Sequence, residues 1–365
     1  MDGASVLRRL KQGRNLQHPH PPRWELVVRP HLTQRRKIAL GTASVLAVAG
    51  AVGIGFSAQA GNVDQHARAA APSGLNGPYL YTGAGKVPEA AQFMKDTGNK
   101  QLTLAFILAK GGCEPAWDGQ RPLTGGEDEK TIKAVQDAGG DVTPSIGGYN
   151  GSKLGESCGS AEELAGAYQK IIDAYKLKSI DIDIEANEFE MPNVRQKVVD
   201  ALKIVKDKNK DVKVYLTFPT LEEAPTDNGK DLIKKGAAAG LDVDGWTVMP
   251  FDFGHGDQDM AKATQTAVDG LAKIVADEYK IDQEKAYSKV GFSSMNGKTD
   301  QPNEAISPAD FQKMVDFATE KHLARVSFWS ANRDRPCSSG DGNDSCSGID
   351  QKEWEFSKIV AGYKG

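Results

Sequence analysis

From Gly77 onward, short runs rich in β-branched and aromatic residues alternate with longer segments whose apolar residues recur every three or four positions. The short runs fall at Tyr79–Thr82, Leu102–Leu108, Val142–Ile146, Ile180–Ile184, Val212–Phe218, Trp246–Phe251, Lys289–Phe292 and Arg325–Trp329. Between them lie helical signals. Ser160-Ala-Glu-Glu163 reads as a capping box, and Leu164, Tyr168, Ile171, Ile172 and Tyr175 then share one face. Ser307 followed by Pro308 reads as an N-cap with proline at the first helical position, and Phe311, Met314, Val315 and Ala318 form the apolar stripe. Strand-then-helix, repeated eight times, predicts an α/β protein: a single (β/α)8 TIM barrel over residues 77–365, without a large insertion domain. An open doubly wound sheet is the competing arrangement. No P-loop or G-x-G-x-x-G follows any strand, and Gly83-Ala-Gly85-Lys86 lacks the required spacing, so nucleotide chemistry has no support.

Upstream the pattern is different. Ile38 to Val63 holds no charged residue, begins directly after Arg35-Arg36-Lys37 and passes through Ala58-Gln59-Ala60. A basic stretch, an apolar run and a small-residue end describe a signal peptide with a long basic n-region over residues 1–60. A retained membrane anchor is the alternative, although the run is rich in Gly and Ala rather than Leu and Ile. Gln34-Arg35-Arg36-Lys37-Ile38 partly matches a twin-arginine signal, a pattern too common to choose an export route. Residues 61–76 show little periodicity and read as a linker. The expected location is therefore secreted and extracellular, with membrane contact only through an uncleaved N-terminal segment.

Charge sharpens this division. The 365 residues carry 45 basic and 49 acidic side chains, a net charge of −4, but residues 1–60 hold nine basic and two acidic ones. The remainder is clearly acidic, which argues against nucleic acid as a partner. All four cysteines, Cys113, Cys158, Cys337 and Cys346, follow the apolar run. Cys337 and Cys346 enclose a short polar loop and pair first, which leaves Cys113 with Cys158; two disulfides suit an oxidising compartment. His66, His255 and His322 have no ligand spacing, and neither a metal nor a cofactor is expected. His255, after the sixth strand, either touches substrate or is simply solvated. Asp341 and Asp344 resemble a calcium loop only faintly and read better as a polar turn.

The chemistry concentrates in Lys178-Ser-Ile-Asp181-Ile-Asp183-Ile-Glu185. Alternation places Asp181, Asp183 and Glu185 on one face of the fourth strand and Ile180, Ile182 and Ile184 on the other. Crowded carboxylates raise one another's pKa, so at least one keeps its proton near neutral pH. Glu185, nearest the rim, is the expected proton donor, with Asp183 its ionised or proton-sharing neighbour, a pairing suited to glycosidic bond cleavage.

This segment resembles the D-G-x-D-x-D-x-E signature of glycoside hydrolase family 18, which contains many chitinases. Ser145-Ile-Gly-Gly148 resembles the family's S-x-G-G on the third strand, Met249-Pro-Phe-Asp252 its sixth-strand motif, and Trp329 the tryptophan ending strand eight. Together these span most of residues 77–365, and the likeness is to compact secreted bacterial chitinases. The resemblance implies substrate-assisted, retaining hydrolysis of β-1,4-linked N-acetylglucosamine polymers by an endo-acting monomer. Glu185 would protonate the leaving oxygen, Asp183 would orient the acetamide, and Asp181 would share a proton with Asp183. Trp329 would floor the sugar site, with Asp252, Met249, Phe251, Ser145 and Tyr149 as further contacts to chitin or its oligosaccharides. Departures exist. Lys178 and Ser179 replace Asp-Gly, Ile184 replaces a common aromatic, and Phe251 and Phe253 flank Asp252 where relatives carry a tyrosine. Tyr149 either supplies that hydroxyl or is a surface aromatic. Two other functions share these motifs: an endo-β-N-acetylglucosaminidase acting on N-glycans, and a weakly active or non-catalytic glycan-binding barrel.

Overall fold

The computed structural model describes residues 75–254, 258–338 and 342–365. The expected signal peptide, His255 and Asp341 lie outside the described residues, as does all of the expected linker except Leu75 and Asn76. Eight parallel strands form the barrel: β1 (Tyr79–Tyr81), β2 (Gln101–Ala109), β3 (Asp141–Gly147), β4 (Ser179–Asp183), β5 (Lys213–Pro219), β6 (Gly245–Met249), β7 (Val290–Met295) and β8 (Arg325–Trp329), and a ninth short strand, Pro115–Trp117, joins the sheet antiparallel to β2. They pair in chain order from β1 to β8. Gly77 N donates to Val326 O at 3.3 Å and Ser327 Oγ to Gly77 O at 2.8 Å, so the chain before β1 meets β8 and nearly closes the ring. One main helix follows each strand: α1 (Ala90–Thr97), α2 (Glu127–Asp137), α3 (Ala161–Tyr175), α4 (Pro192–Lys208), α5 (Asp227–Ala238), α6 (Met260–Tyr279), α7 (Pro308–Lys321) and α8 (Glu355–Ala361). This is the (β/α)8 barrel that the periodicity predicts, and the open-sheet alternative is set aside.

Local signals explain where elements begin and end. Ser307 caps α7 with a full capping box to Asp310, and Pro308 occupies the first turn. At α3 the box is only half formed: Ser160 Oγ accepts from Glu163 N at 3.2 Å, but the Glu163 carboxylate turns to Gly159 N at 2.8 Å. Strand β6 stops at Met249, two residues before the expected end. Pro250 has no N–H to continue the ladder, and Asp252 enters the left-handed region at φ 60°. Leu75 and Asn76, read as linker, are packed into the barrel: Leu75 N donates to Tyr215 Oη at 3.0 Å, and Asn76 Oδ1 accepts from Val326 N at 2.9 Å.

The two sides of the sheet differ in kind. Ile180, Ile182 and Ile184 are fully buried in the apolar core shared with the helices, beside Leu104, Val214, Leu216, Val248 and Phe328. The inward positions are polar, and a hydrogen-bonded network of Tyr79, Thr103, Ser145, Asp181, Thr217 and Arg325 fills the barrel centre. Only a small hairpin, Gly297–Lys298 with Ala305–Ile306, is inserted between β7 and α7. Disulfides join Cys113 to Cys158 and Cys337 to Cys346, the pairing read from the spacing. Among the described residues no helix is long and apolar enough to cross a membrane.

Candidate active site

The three acids of β4 and its extension are inward-facing but occupy different environments. Asp181, lowest in the barrel and fully buried, accepts from Tyr79 Oη (2.8 Å) and Ser145 Oγ (2.7 Å) on one oxygen. Its other oxygen accepts from Thr217 Oγ1 (2.8 Å) and from the guanidinium of Arg325, itself fully buried. Four donors fill the four lone-pair sites of its carboxylate. Arg325 also faces the rings of Tyr79 and Tyr215 at 5.5 and 5.6 Å.

Asp183, one pleat higher, is almost as deeply buried, and its Oδ1 has no hydrogen-bond partner. Burial, followed by the charges of Glu185 and Asp181, pushes its carboxyl well above the usual range, against Arg325 and Lys153. Glu185 lies just past the end of β4, still extended at φ −134° and ψ 175°, so the alternation carries it to the same side. Burial is the main cause that pushes Glu185 up to about 7; Lys153 opposes this and Asp252 adds to it. A carboxyl balanced near neutrality, beside a buried acceptor without a donor, can deliver a proton and then take one back.

The walls follow from close approach. A Cβ on Gly147, at φ 119°, would lie 2.1 Å from Asp183 O, and Gly148 N donates to that same oxygen at 2.8 Å. A Cβ on Gly148 would meet the Phe106 ring at 2.9 Å. The paired glycines therefore let the end of β3 run close beside the acid strand. Trp329 stacks on Phe106 with centroids 5.4 Å apart and planes 12° from parallel, and it contacts Tyr79 and Tyr81 at 5.8 and 5.7 Å. Across the mouth, Asp252 is half-buried and pushed up to about 6 by burial and by Asp300. No group of three or more potential metal ligands occurs among the described residues.

The chain is similar to known proteins in both sequence and fold. The chain is 27% identical over 282 residues to a probable bifunctional chitinase/lysozyme of Escherichia coli (strain K12), a match covering 73% of this chain and 31% of that protein. It is also 27% identical over 282 residues to endochitinase 11 of Metarhizium anisopliae, covering 73% and 53%. The chain thus spans about a third to a half of the length of these curated relatives. No protein-family model matches it. Active domain 2 of a chitinase from Pyrococcus furiosus superposes with a TM-score of 0.73 at 27% identity, covering 80% of this chain and 96% of that one. In sequence and fold the chain resembles the chitinases of glycoside hydrolase family 18. A GH18 chitinase from Chromobacterium violaceum, at 17% identity and a TM-score of 0.54, shares the fold.

Measured against the family 18 pattern, the structure brings both Asp183 and Asp252 within electrostatic reach of Glu185 and corrects two expectations, those for Asp181 and Ser145. Asp181 makes no hydrogen bond to Asp183; its lone pairs are already taken, which leaves no site for a shared proton. Ser145 is fully buried and donates to Asp181, so it supports the acid strand from beneath instead of contacting substrate. Tyr149 is 56% exposed, and no hydrogen bond or ring contact joins it to the acids, which fits the surface aromatic of its two readings. Lys178 lies at the opposite end of β4, paired with Asp141 at 3.0 Å, and does not reach the site. Met249 ends β6, while Phe251 and Phe253 are half-buried against the core.

Three contributors escaped the sequence reading. Arg325 shares inward parity with Trp329 on β8, a signal that could have exposed it. Lys153 is buried, its Nζ donates to Asn150 O at 2.5 Å, and its own pKa is lowered by burial. Glu304 sits beneath Asp252. Lys153 and Glu304 are on irregular loops, where no periodicity marks them.

Proposed function

We propose that this protein hydrolyses β-1,4-linked N-acetylglucosamine polymers such as chitin, retaining the anomeric configuration with help from the substrate's own acetamido group. The observation that carries this reading is the pair formed by Glu185, poised near pH 7, and Asp183, whose buried Oδ1 lacks a donor. An acetamide N–H is the donor that this oxygen lacks. With the acetamide held by Asp183, its carbonyl oxygen attacks the anomeric carbon as Glu185 protonates the departing glycosidic oxygen. The carbon–oxygen bond to the leaving group breaks, and an oxazolinium ion forms. Glu185, now a carboxylate, removes a proton from water as the water opens that ring. Asp183 Oδ1 keeps accepting the acetamide N–H and so disperses the positive charge of the intermediate, and the Asp181–Arg325 pair keeps the strand beneath it fixed. Trp329 offers its ring as the apolar floor for the sugar, and Asp252 faces the acetamide from the opposite wall.

The names of the Escherichia coli, Metarhizium and Pyrococcus relatives point to the same substrate. A further structure of the Pyrococcus domain, also at 27% identity with a TM-score of 0.73, carries chito-oligosaccharides. The basic and apolar N-terminal residues, together with two disulfides, support an exported protein. The test is to incubate the protein with chitotetraose beside a Glu185→Gln variant and follow the anomers formed. Cleavage by the wild type to β-anomers, abolished in the variant, is expected. Initial α-anomers overturn the retaining mechanism, and binding without turnover in both proteins would make the barrel a glycan-binding module.

A further inference from the structure

Asp252 sits in a turn that a single side chain organises. The turn is left-handed at Asp252 (φ 60°) and at Gly254 (φ 77°), so consecutive N–H groups converge on one point. At that point lies the carboxylate of Glu304, only 3% exposed. One of its oxygens, Oε1, accepts from Asp252 N at 2.6 Å and from Thr299 Oγ1 at 3.0 Å. The other accepts from Phe253 N at 3.0 Å and Gly254 N at 3.3 Å. Without an anion there, three successive backbone donors would lose their partner. The segment carrying Glu304 also holds the Asp252 side chain, because Asp300 N donates to Asp252 Oδ1 at 2.9 Å.

The hairpin is itself anchored. Lys298 N donates to Ser347 O at 2.8 Å, and a Cβ on Gly297 would lie 2.2 Å from that oxygen. Ser347 directly follows Cys346 of the second disulfide. A continuous set of contacts therefore runs from the C-terminal disulfide loop through the hairpin to the backbone and carboxylate of Asp252. The phenyl rings of Phe251 and Phe253 offer no hydroxyl beside that carboxylate, so its orientation depends on what lies beneath.

We propose that Glu304 is a positioning residue that, through the 252–254 turn, aims the Asp252 carboxylate at the acetamido group of the substrate. The proposal rests on the hydrolase reading given above. Glu304→Gln keeps the size but turns an N–H2 toward one pair of donors. We expect kcat/KM on chitotetraose to fall about 10–100-fold, as when a group that only orients a functional side chain is lost. The deciding readout is a double-mutant cycle with Asp252→Asn. If Glu304 acts through Asp252, E304Q changes the Asp252→Asn enzyme by less than about 2-fold. Glu304→Asp, which keeps the charge but draws the carboxylate back from the three N–H groups, gives a fall of about 3-fold or more with the same non-additivity, and it carries the cycle if E304Q does not fold. Full activity in E304Q, or losses that multiply in the double variant, overturns the proposal. If the wild type binds chitotetraose without turnover, only the hydrolase reading fails, and the cycle is read in dissociation constants. A protein that neither cleaves nor binds the tetramer overturns both.

Discussion

Replacing Asp181 with asparagine tests the buried charge pair at the barrel centre. The side chain keeps its shape, but the fully buried guanidinium of Arg325 loses the one anion in contact with it. The remaining partners of Arg325 are the hydroxyls of Thr217, Tyr79 and Thr103, at 2.9, 3.3 and 3.4 Å, and these cannot neutralise it. Removing one partner of a buried pair costs about 3–5 kcal/mol. At about 2 °C per kcal/mol for a domain of this size, the thermal midpoint should fall by about 6–10 °C. Calorimetry at pH 6 measures it. The companion variant D181N/R325M removes the stranded charge as well. Because an apolar replacement of a whole buried pair is often neutral, the midpoint should return to within about 2 °C of the wild type. The reasoning is refuted if D181N melts within about 2 °C of the wild type, or if D181N/R325M melts no higher than D181N.

Three further outcomes are expected. Glu185→Gln lowers kcat on chitotetraose by about 10³-fold while the dissociation constant measured by calorimetry is unchanged. Because the wild type needs Glu185 protonated, its rate falls as pH rises through about 7, whereas any residual rate of the variant does not follow that limb. The same group links pH to stability. Its folded pKa lies above its unfolded one, so its contribution is complete below about pH 4 and is lost as pH rises through 7. Glu185→Gln should therefore melt higher than the wild type at pH 8, with the difference closing in acid. Trp329→Ala removes the ring stacked on Phe106 and should raise KM by about 10-fold or more, with loss of the tryptophan fluorescence change on binding. The double variant Cys113→Ala/Cys158→Ala opens a loop with a sequence separation of 45 and should lose about 2–5 kcal/mol, read as a fall in thermal midpoint.

Much of the scaffold is written in local pattern. Strand and helix periodicities are short-range properties of the chain, so all eight barrel strands lie close to where the apolar runs place them. Period-two alternation also separates the isoleucines of β4 from its acids, and the short polar loop between Cys337 and Cys346 points to the disulfide pairing. Strand ends shift by up to three residues: β6 stops early where Pro250 intervenes, and β7 runs on to Met295, past the expected Phe292.

The differences among the three carboxyls are another matter. On the sequence Asp181, Asp183 and Glu185 are equivalent beats of one rhythm. Only the closed barrel brings Arg325, 144 positions away, onto Asp181 and leaves Asp183 Oδ1 without a donor. Only the packed loops bring Lys153 and Asp252 close enough to affect Glu185, and seat Glu304, 52 positions from Asp252, under the turn. The physical reason is that periodicity reports which way a side chain points, whereas its proton affinity depends on what the rest of the fold places around it, in a medium where charges are poorly screened. The chain alone determined the barrel and the line of acids along one strand. The tertiary structure decided which acid is locked among four donors, which awaits a donor and which is poised to give up a proton.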